Sequence, residues 1–99
     1  MKVLRIGVTR GDVKLIDIPN TLEDLQRAVG GYIETFRIRE ISDRRIVGIA
    51  NEEGLLKGLP PNKNIGYIVG VTLWVNTDGE EFTDLTDGQI RNLKKFWRI

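Results

Sequence analysis

Residues 66–75, GYIVGVTLWV, form the longest apolar run in the chain, and this run decides the fold class. It is rich in β-branched and aromatic side chains, which pack well on a pleated sheet and favour a strand over a helix. A run that is apolar at nearly every position is typical of an interior strand. We therefore predict that residues 66–75 form a central strand of a sheet.

The preceding sequence supplies the neighbouring strands. Residues 3–8 and 13–18 predict a hairpin, and Gly11 between them can adopt the positive φ that such a turn requires. Residues 32–38 alternate between apolar and polar side chains, which is the pattern of a strand. Residues 45–50 are more continuously apolar, so we expect a more central strand there.

A first amphipathic helix is predicted over residues 20–31. Asn20 followed by Glu23 indicates a capping box at its start, because each side chain can bond the other's backbone N–H. Gly30 is suited to the conformation that ends a helix. The inner stripe of this helix comprises Leu22, Leu25 and Val29.

A second helix is predicted over residues 86–99, after a turn marked by the pair Asp78-Gly79. Thr86 and Gln89 indicate its capping box. Its inner stripe comprises Ile90, Leu93 and Trp97.

Together these elements predict an α+β domain, in which two helices pack on a mostly antiparallel sheet of five to six strands. The predicted order is ββαββ, a long loop, β and α, within a single domain over residues 1–99. The expected core includes Leu22, Leu25, Val29, Ile68, Val71, Ile90, Leu93, Phe96 and Trp97.

The composition excludes several kinds of chemistry. Fifteen basic and fourteen acidic residues give a net charge of +1, so there is no general attraction to nucleic acid or to a membrane surface. The absence of cysteine and histidine removes the thiolate nucleophile, the commonest general base and the commonest metal ligand. A metal site would have to use oxygen ligands and hold magnesium, calcium or manganese. We predict no catalytic residue, cofactor or metal site.

Hydropathy gives no sign of a membrane protein or of a secretion signal. No apolar run approaches the ~20 residues that cross a bilayer. The N-terminal residues MKVLRIGV lack an apolar region followed by a small-residue cleavage site. We expect a soluble intracellular protein.

Three motif-like segments are explained more simply by local structure. Residues 10–12, RGD, match the tripeptide that integrins bind, but a hairpin turn favours Gly and Asp for backbone reasons. The glycines at residues 30–31 follow a helix, whereas a phosphate-binding loop precedes one. The acidic residues of 52–53 and 78–81 lack the spacing of a calcium loop, and we interpret them as solvated turns.

The end of the second helix is basic. Lys94, Lys95 and Arg98, together with Phe96 and Trp97, have the residue types that grip a phosphate backbone and stack on a base. The near-neutral total charge favours a simpler interpretation, in which the cations complement the helix dipole and the aromatic rings are buried.

The segment NEEGLLKGLPPNKN, residues 51–64, contains more than a connector needs. Gly54 permits a positive φ, the two prolines stiffen the chain, and the asparagines offer amides. Leu55 and Leu56 predict that this loop packs back on the sheet. A rigid loop beside a sheet edge is also how many domains present ligand-contacting atoms. Composition leaves both hypotheses open, a structural loop and a binding loop.

Three segments in a fixed order carry a family resemblance: NTLEDLQRAVGGYIE, then NEEGLLKGLPPN followed by a glycine-containing apolar strand, then GEEFTDLTDGQI. Over about residues 15–95 they resemble DUF3846, a family of small domains of unknown function. The first two strands are a looser match. The resemblance implies no established activity, but it implies a setting, since such domains look common in phages and bacterial mobile elements.

In that setting small accessory proteins often counter host defence, and two hypotheses compete. In the first, a homo-oligomer sequesters a small anionic ligand, such as a nucleotide signal, in a pocket that involves the loop. Candidate cations are Lys57 and Lys63, or Arg37 and Arg39, and candidate stacking residues are Tyr32, Tyr67 and Trp74. The predicted ligand-binding residues are Asn51, Glu52, Glu53, Gly54, Lys57, Gly58, Pro60, Pro61, Asn62, Lys63, Tyr32 and Tyr67.

In the second hypothesis the protein blocks a host defence protein directly, and the same loop and an exposed sheet edge form the contact. A third hypothesis is a nucleic-acid-binding regulator, which ranks lowest because the basic residues are scattered along the chain.

Overall fold

The computed structural model describes residues 1–98 and contains six strands and two helices. In chain order they are β1 Lys2–Ile6, β2 Val13–Asp17, α1 Leu22–Val29, β3 Ile33–Phe36, β4 Val47–Asn51, β5 Thr72–Asp78, β6 Glu81–Thr83 and α2 Asp87–Phe96. The strand order is β2-β1-β5-β4-β3, β6 forms a hairpin with the end of β5, and neighbouring strands are antiparallel. The predicted α+β class is confirmed.

The decisive apolar run is central, but only its second half is a strand. β5 begins at Thr72, and residues 66–71 are irregular apart from a single bridge between Pro61 and Val69. Gly70 has a φ of 81°, a left-handed conformation that interrupts the extended backbone. Ile68 and Val71, which we expected in the core, are therefore only half-buried.

The other predicted strands are present with shorter bounds. β1 and β2 form the predicted hairpin, and Gly11 in its turn has a φ of 81°. β4 lies between β5 and β3, and all five of its residues are buried, as expected for an interior strand. Each strand is shorter than its apolar pattern because its ends bend into the connecting turns.

One face of the sheet packs against α2. Leu4, Trp74, Gly48 and Phe36 lie side by side across four strands. A Cβ at Gly48 would lie 2.7 Å from the ring of Phe36 and 2.8 Å from that of Trp74, so only glycine lets the two rings meet over β4. Their centroids are 5.1 Å apart in an edge-to-face arrangement. The fully buried Trp74 is thus the centre of this half of the core.

The opposite face packs against α1 through Leu25 and Val29, both buried. The helix begins one residue later than predicted, because the amide of Asn20 donates to the Phe82 carbonyl at 3.0 Å and Thr21 supplies the capping oxygen instead. Leu22, expected in the core, is 56% exposed because it lies in the first turn on the solvent side. Gly30 ends the helix with a φ of 84°, as predicted.

α2 begins with the predicted capping box of Thr86 and Gln89 but ends at Phe96, short of the predicted end at residue 99, which lies outside the described residues. Ile90 and Leu93 are buried and Trp97 is half-buried, with its ring 5.1 Å from that of Trp74. Phe96, expected in the core, is 40% exposed, because it lies on the flank of the helix and not on the stripe that faces the sheet. Among residues 1–98, neither helix has the length and apolar character needed to cross a membrane.

Candidate functional site

Residues 51–59 form a short helical turn with a defined start and end. The Asn51 side-chain oxygen accepts the Glu53 N–H at 2.8 Å, which caps the start. At the end, the Leu59 N–H donates to the Gly54 carbonyl at 3.0 Å and the Gly58 N–H to the Leu55 carbonyl. With Gly58 at a φ of 67°, these are the two bonds of a Schellman motif.

Gly54, where we expected the positive φ, does not have one. It is required for a different reason, since a Cβ there would lie 2.8 Å from the Val69 side chain. The backbone of the turn therefore packs closely on the neighbouring loop at this position.

The helical turn is attached to the end of α1. The Asn51 amide donates to the Val29 carbonyl at 3.2 Å, and the Lys57 ammonium donates to the Gly30 carbonyl at 3.4 Å. A cation at the end of a helix also complements its dipole. Asn51 and Lys57 are thereby engaged in holding the turn to the rest of the fold.

The following loop is attached to the hairpin of β1 and β2 by side-chain amides, of which that of Asn62 is buried. Asn62 is 1% exposed, and its amide donates to the Gly70 carbonyl at 2.9 Å and to the Ile6 carbonyl at 3.3 Å. The Asn64 amide donates to the carbonyls of Gly7 and Thr9. These contacts supply hydrogen-bond donors to backbone carbonyls at the end of β1 and in the turns next to it.

Two adjacent apolar side chains of the helical turn, Leu55 and Leu56, point outward. Leu55 is 83% exposed and Leu56 is 87% exposed, and Tyr67 from the next loop is 68% exposed. The expectation that the two leucines pack on the sheet is wrong, because the interior positions beneath the turn are taken by Asn51 and by the close approach of Gly54 to Val69.

These three side chains line a cleft of about 350 Å³, whose other walls include Glu34, Glu52 and Glu53. We call this the acidic cleft. Its surface is apolar with a carboxylate rim, and Lys57 is turned away from it toward α1. Such a cleft suits a partner that combines an apolar group with positive charge, and it repels an anion.

A second cavity, of about 330 Å³, lies between the loop of residues 40–46 and α2. Its lining includes Glu40, Ser42, Asn92 and Phe96. We call this the α2 cavity.

Asp43, in the wall of the α2 cavity, ties the loop to α2. Its carboxylate accepts from Arg45 at 3.0 Å and from the Gln89 amide at 3.1 Å. The hydrogen bonds from Arg45 are the main cause that lowers the pKa of Asp43 to about 2, against a smaller opposing effect of burial. The same pairing raises the pKa of Arg45.

The model of the DUF3846 family, described as a domain of unknown function, matches residues 1–98. This chain belongs to the DUF3846 family. The match includes β1 and β2, which the sequence motifs covered only loosely. Comparisons with curated proteins and with solved structures found no match.

The fold of this DUF3846 domain brings part of the predicted ligand-binding set together at the acidic cleft. The residues that line it are Asn51, Glu52, Glu53, Gly54 and Tyr67. Those that lie outside its lining are Tyr32, Lys57, Gly58, Pro60, Pro61, Asn62 and Lys63.

The aromatic and basic candidates are placed differently from one another. The prediction that Trp74 stacks on a base is wrong, because its side chain is fully buried. Arg37 donates to the Arg44 carbonyl, away from the acidic cleft. Tyr32 is 63% exposed, but only Tyr67 lines the cleft.

Sequence reasoning missed Leu55, Leu56 and Glu34 as parts of this surface. The adjacent leucines were a signal, since apolar residues in a loop are either packed or exposed for a partner. Glu34 gave no signal, because its place depends on the pairing of β3 with β4. Within residues 1–98 no cluster of three acidic side chains is arranged to hold a metal ion.

Proposed function

We propose that this DUF3846 protein acts by binding a protein partner at the acidic cleft, without catalysis. The observation that carries the proposal is the exposure of Leu55, Leu56 and Tyr67 around one cleft. Adjacent exposed apolar side chains with a polar rim are typical of an interaction site, and here they contribute little to the fold.

The chemistry of the cleft selects the partner. Glu34, Glu52 and Glu53 favour lysine or arginine beside an apolar side chain that enters the cleft. Within residues 1–98, β3, which contributes Glu34, is the last strand of the sheet and pairs only with β4. An extended segment of the partner can therefore bond the free edge of β3 while its side chains reach the cleft.

The family resemblance supplies the setting of the proposal, a phage or mobile-element accessory protein in a bacterial cytoplasm. There the partner is a host defence protein, and the protein blocks it by direct contact.

Selection from a displayed random peptide library tests this function. We expect wild-type protein to enrich peptides in which a large apolar residue is flanked by lysine or arginine. The double variant Leu55→Ser and Leu56→Ser should lose this enrichment, whereas Leu15→Ser should keep it, because Leu15 lies on β2 at the opposite edge of the sheet. Enrichment of acidic peptides, or equal enrichment by both variants, would contradict the proposal.

A second candidate function is the sequestration of a small anionic ligand, such as a nucleotide signal, by a homo-oligomer. The exposed ring of Tyr67 favours it, because a base can stack there. The three carboxylates of the rim weigh against it, so we rank it second. Native mass spectrometry of the protein purified from bacteria separates the two, since sequestration predicts an oligomer that retains an adduct of nucleotide mass.

A further inference from the structure

The outer face of α2 carries an exposed row of cations. Arg91 lies on α2 with Lys94 and Lys95 three and four residues further on, Arg98 follows just beyond the end of the helix at Phe96, and each of the four is exposed. Among residues 1–98 none of them forms a salt bridge. Sequence analysis singled out the last three, and the fourth, Arg91, extends the row by one turn.

This row makes the molecule electrically asymmetric. Residues 87–98 contain four basic side chains and one acidic side chain, so their formal charge is +3. Because the whole chain carries +1, the remaining residues carry −2. A near-neutral total therefore conceals a concentrated positive surface, and total charge gives no argument against a polyanionic ligand here.

The α2 cavity opens beside this row. Asn92 and Phe96, four residues apart, lie on the adjoining flank of α2 and line the cavity, and the ring of Phe96 is 40% exposed. Glu40 and Ser42 line the facing loop. The volume of about 330 Å³ is at the small end of ligand pockets, which span ~300–1000 Å³.

We propose that α2 and its cavity bind single-stranded nucleic acid. The cations contact phosphates outside the cavity, while an unpaired base enters it and packs against Phe96. The amino group of such a base can donate to the Glu40 carboxylate, and the Asn92 amide can pair with its other edge atoms. The α2 cavity is lined by carboxylates and the cations lie outside it, an arrangement that matches a base inside with its phosphate outside. A free phosphate would be repelled from the interior of the cavity.

Two other polyanionic partners fit less well. A membrane surface binds a helix through an apolar face, and the apolar face of α2 is buried against the sheet through Ile90 and Leu93. An acidic protein would use the cations but would not need the cavity beside Phe96. A cation row beside a cavity with an exposed ring therefore favours a nucleic acid over a membrane surface and over an acidic protein.

Fluorescence anisotropy with a labelled single strand of about 12 nucleotides tests the site, since such a strand spans typical site sizes. For three to four phosphate contacts we expect log K to fall against log salt with a slope of about −2 to −3. The double variant Arg91→Gln and Lys95→Gln should weaken binding about 10- to 30-fold near ~0.1 M salt and reduce the slope by about 1.4.

The matched control is Lys14→Gln with Arg27→Gln, which removes the same charge from β2 and α1. α1 packs on the face of the sheet opposite α2, so this control should bind like wild type. Equal weakening in both double variants would show an effect of net charge alone and overturn the proposal. Absence of binding by wild type at about 50 mM salt would do the same.

The variant Phe96→Leu tests whether a base stacks on the ring, because leucine keeps an apolar contact and cannot stack. We expect weaker binding of the oligonucleotide and unchanged binding of dextran sulfate. Equal affinity of wild type for the oligonucleotide, dextran sulfate and polyglutamate would overturn the nucleic-acid assignment. The variant Leu55→Ser with Leu56→Ser should bind the oligonucleotide normally, which keeps this result independent of the acidic cleft.

Discussion

Residues 72–75 and residues 51–67 differ in which kinds of side chain they bury. In the strand, Leu73, Trp74 and Val75 are completely buried, as their hydropathy predicts. In the loop segment the asparagines at 51 and 62 are buried, while the leucines at 55 and 56 are among the most exposed apolar side chains of the protein.

The difference follows from where the backbone finds its hydrogen bonds. β5 has strands on both sides, so its amides and carbonyls are satisfied and its interior positions are available to apolar groups. The loop segment has no continuous strand partner, and the side-chain amides at 51 and 62 donate to backbone carbonyls of α1, β1 and the neighbouring loop. Burial in this protein therefore reflects the demand of the local backbone as well as hydropathy.

The largest expected effect is at the strand. Trp74→Ala should lower the free energy of unfolding by about 3–5 kcal/mol, because it removes the ring that contacts Phe36 and Trp97 and leaves a cavity. Chemical denaturation monitored by circular dichroism measures the loss. A change under about 1 kcal/mol would mean that the core is not organised around this ring.

The next effect tests whether a buried position of the loop segment requires an amide and not an apolar side chain. Asn62→Leu adds an apolar side chain at a buried position, yet we expect a loss of about 2–4 kcal/mol, because the carbonyls of Ile6 and Gly70 lose their donor. Asn92→Leu, the same change at an exposed position, is the control and should be nearly neutral. Stabilisation by Asn62→Leu would remove the distinction between the two regions.

A second loop, residues 40–46, shows whether a charged side chain can also be needed to satisfy local hydrogen bonds. The pKa of Asp43 in the folded protein is about 2, below its ordinary 3.8, so its ionised form stabilises the fold above that range. This contribution is lost as the pH falls from about 4 to about 2. At neutral pH Asp43→Asn should lower stability by about 1 kcal/mol, because the carboxylate is partly solvated.

The pH dependence provides the check on Asp43. The difference in unfolding free energy between wild type and Asp43→Asn should shrink as the pH falls from about 4 through the folded-state pKa of about 2, and vanish only below that pKa. A difference that does not depend on pH would assign the effect to packing and not to charge.

The smallest effect is expected at the exposed leucines. Leu55→Ser with Leu56→Ser should change the thermal midpoint little, with a free-energy change within about ±0.5 kcal/mol for each substitution. A loss above about 2 kcal/mol would show that these side chains support the fold, and the proposal of a binding site at the acidic cleft would then lose its main support.

Local patterns were sufficient for most of the architecture. The class, the hairpin, both helices and the interior positions of β4 and β5 follow from apolar periodicity and turn residues. The error at residues 66–71 arose because the pattern does not reveal that Gly70 is left-handed. The shift of the first cap from Asn20 to Thr21 depends on the Phe82 carbonyl, which is distant in sequence.

The candidate sites were less accessible to sequence reasoning for a related reason. Composition identified residues 51–64 as unusual, but the direction of each side chain depends on contacts with α1 and with the first hairpin. The cation row on α2 was only partly recognised, since it is visible once helical spacing and the exposure of Arg91 are combined.

The position of β5 between β1 and β4 also sets an order of events during synthesis. Both hairpins that flank it, β1–β2 and β3–β4, connect residues close in sequence and can pair as soon as they emerge from the ribosome. They cannot join into one sheet until residues 72–78 follow, since Leu4 and Gly48 both pair with Trp74. Between the emergence of residue 51 and that of residue 72 the nascent chain thus has two half-sheets that are not yet joined, and the contacts that unite them are of high contact order.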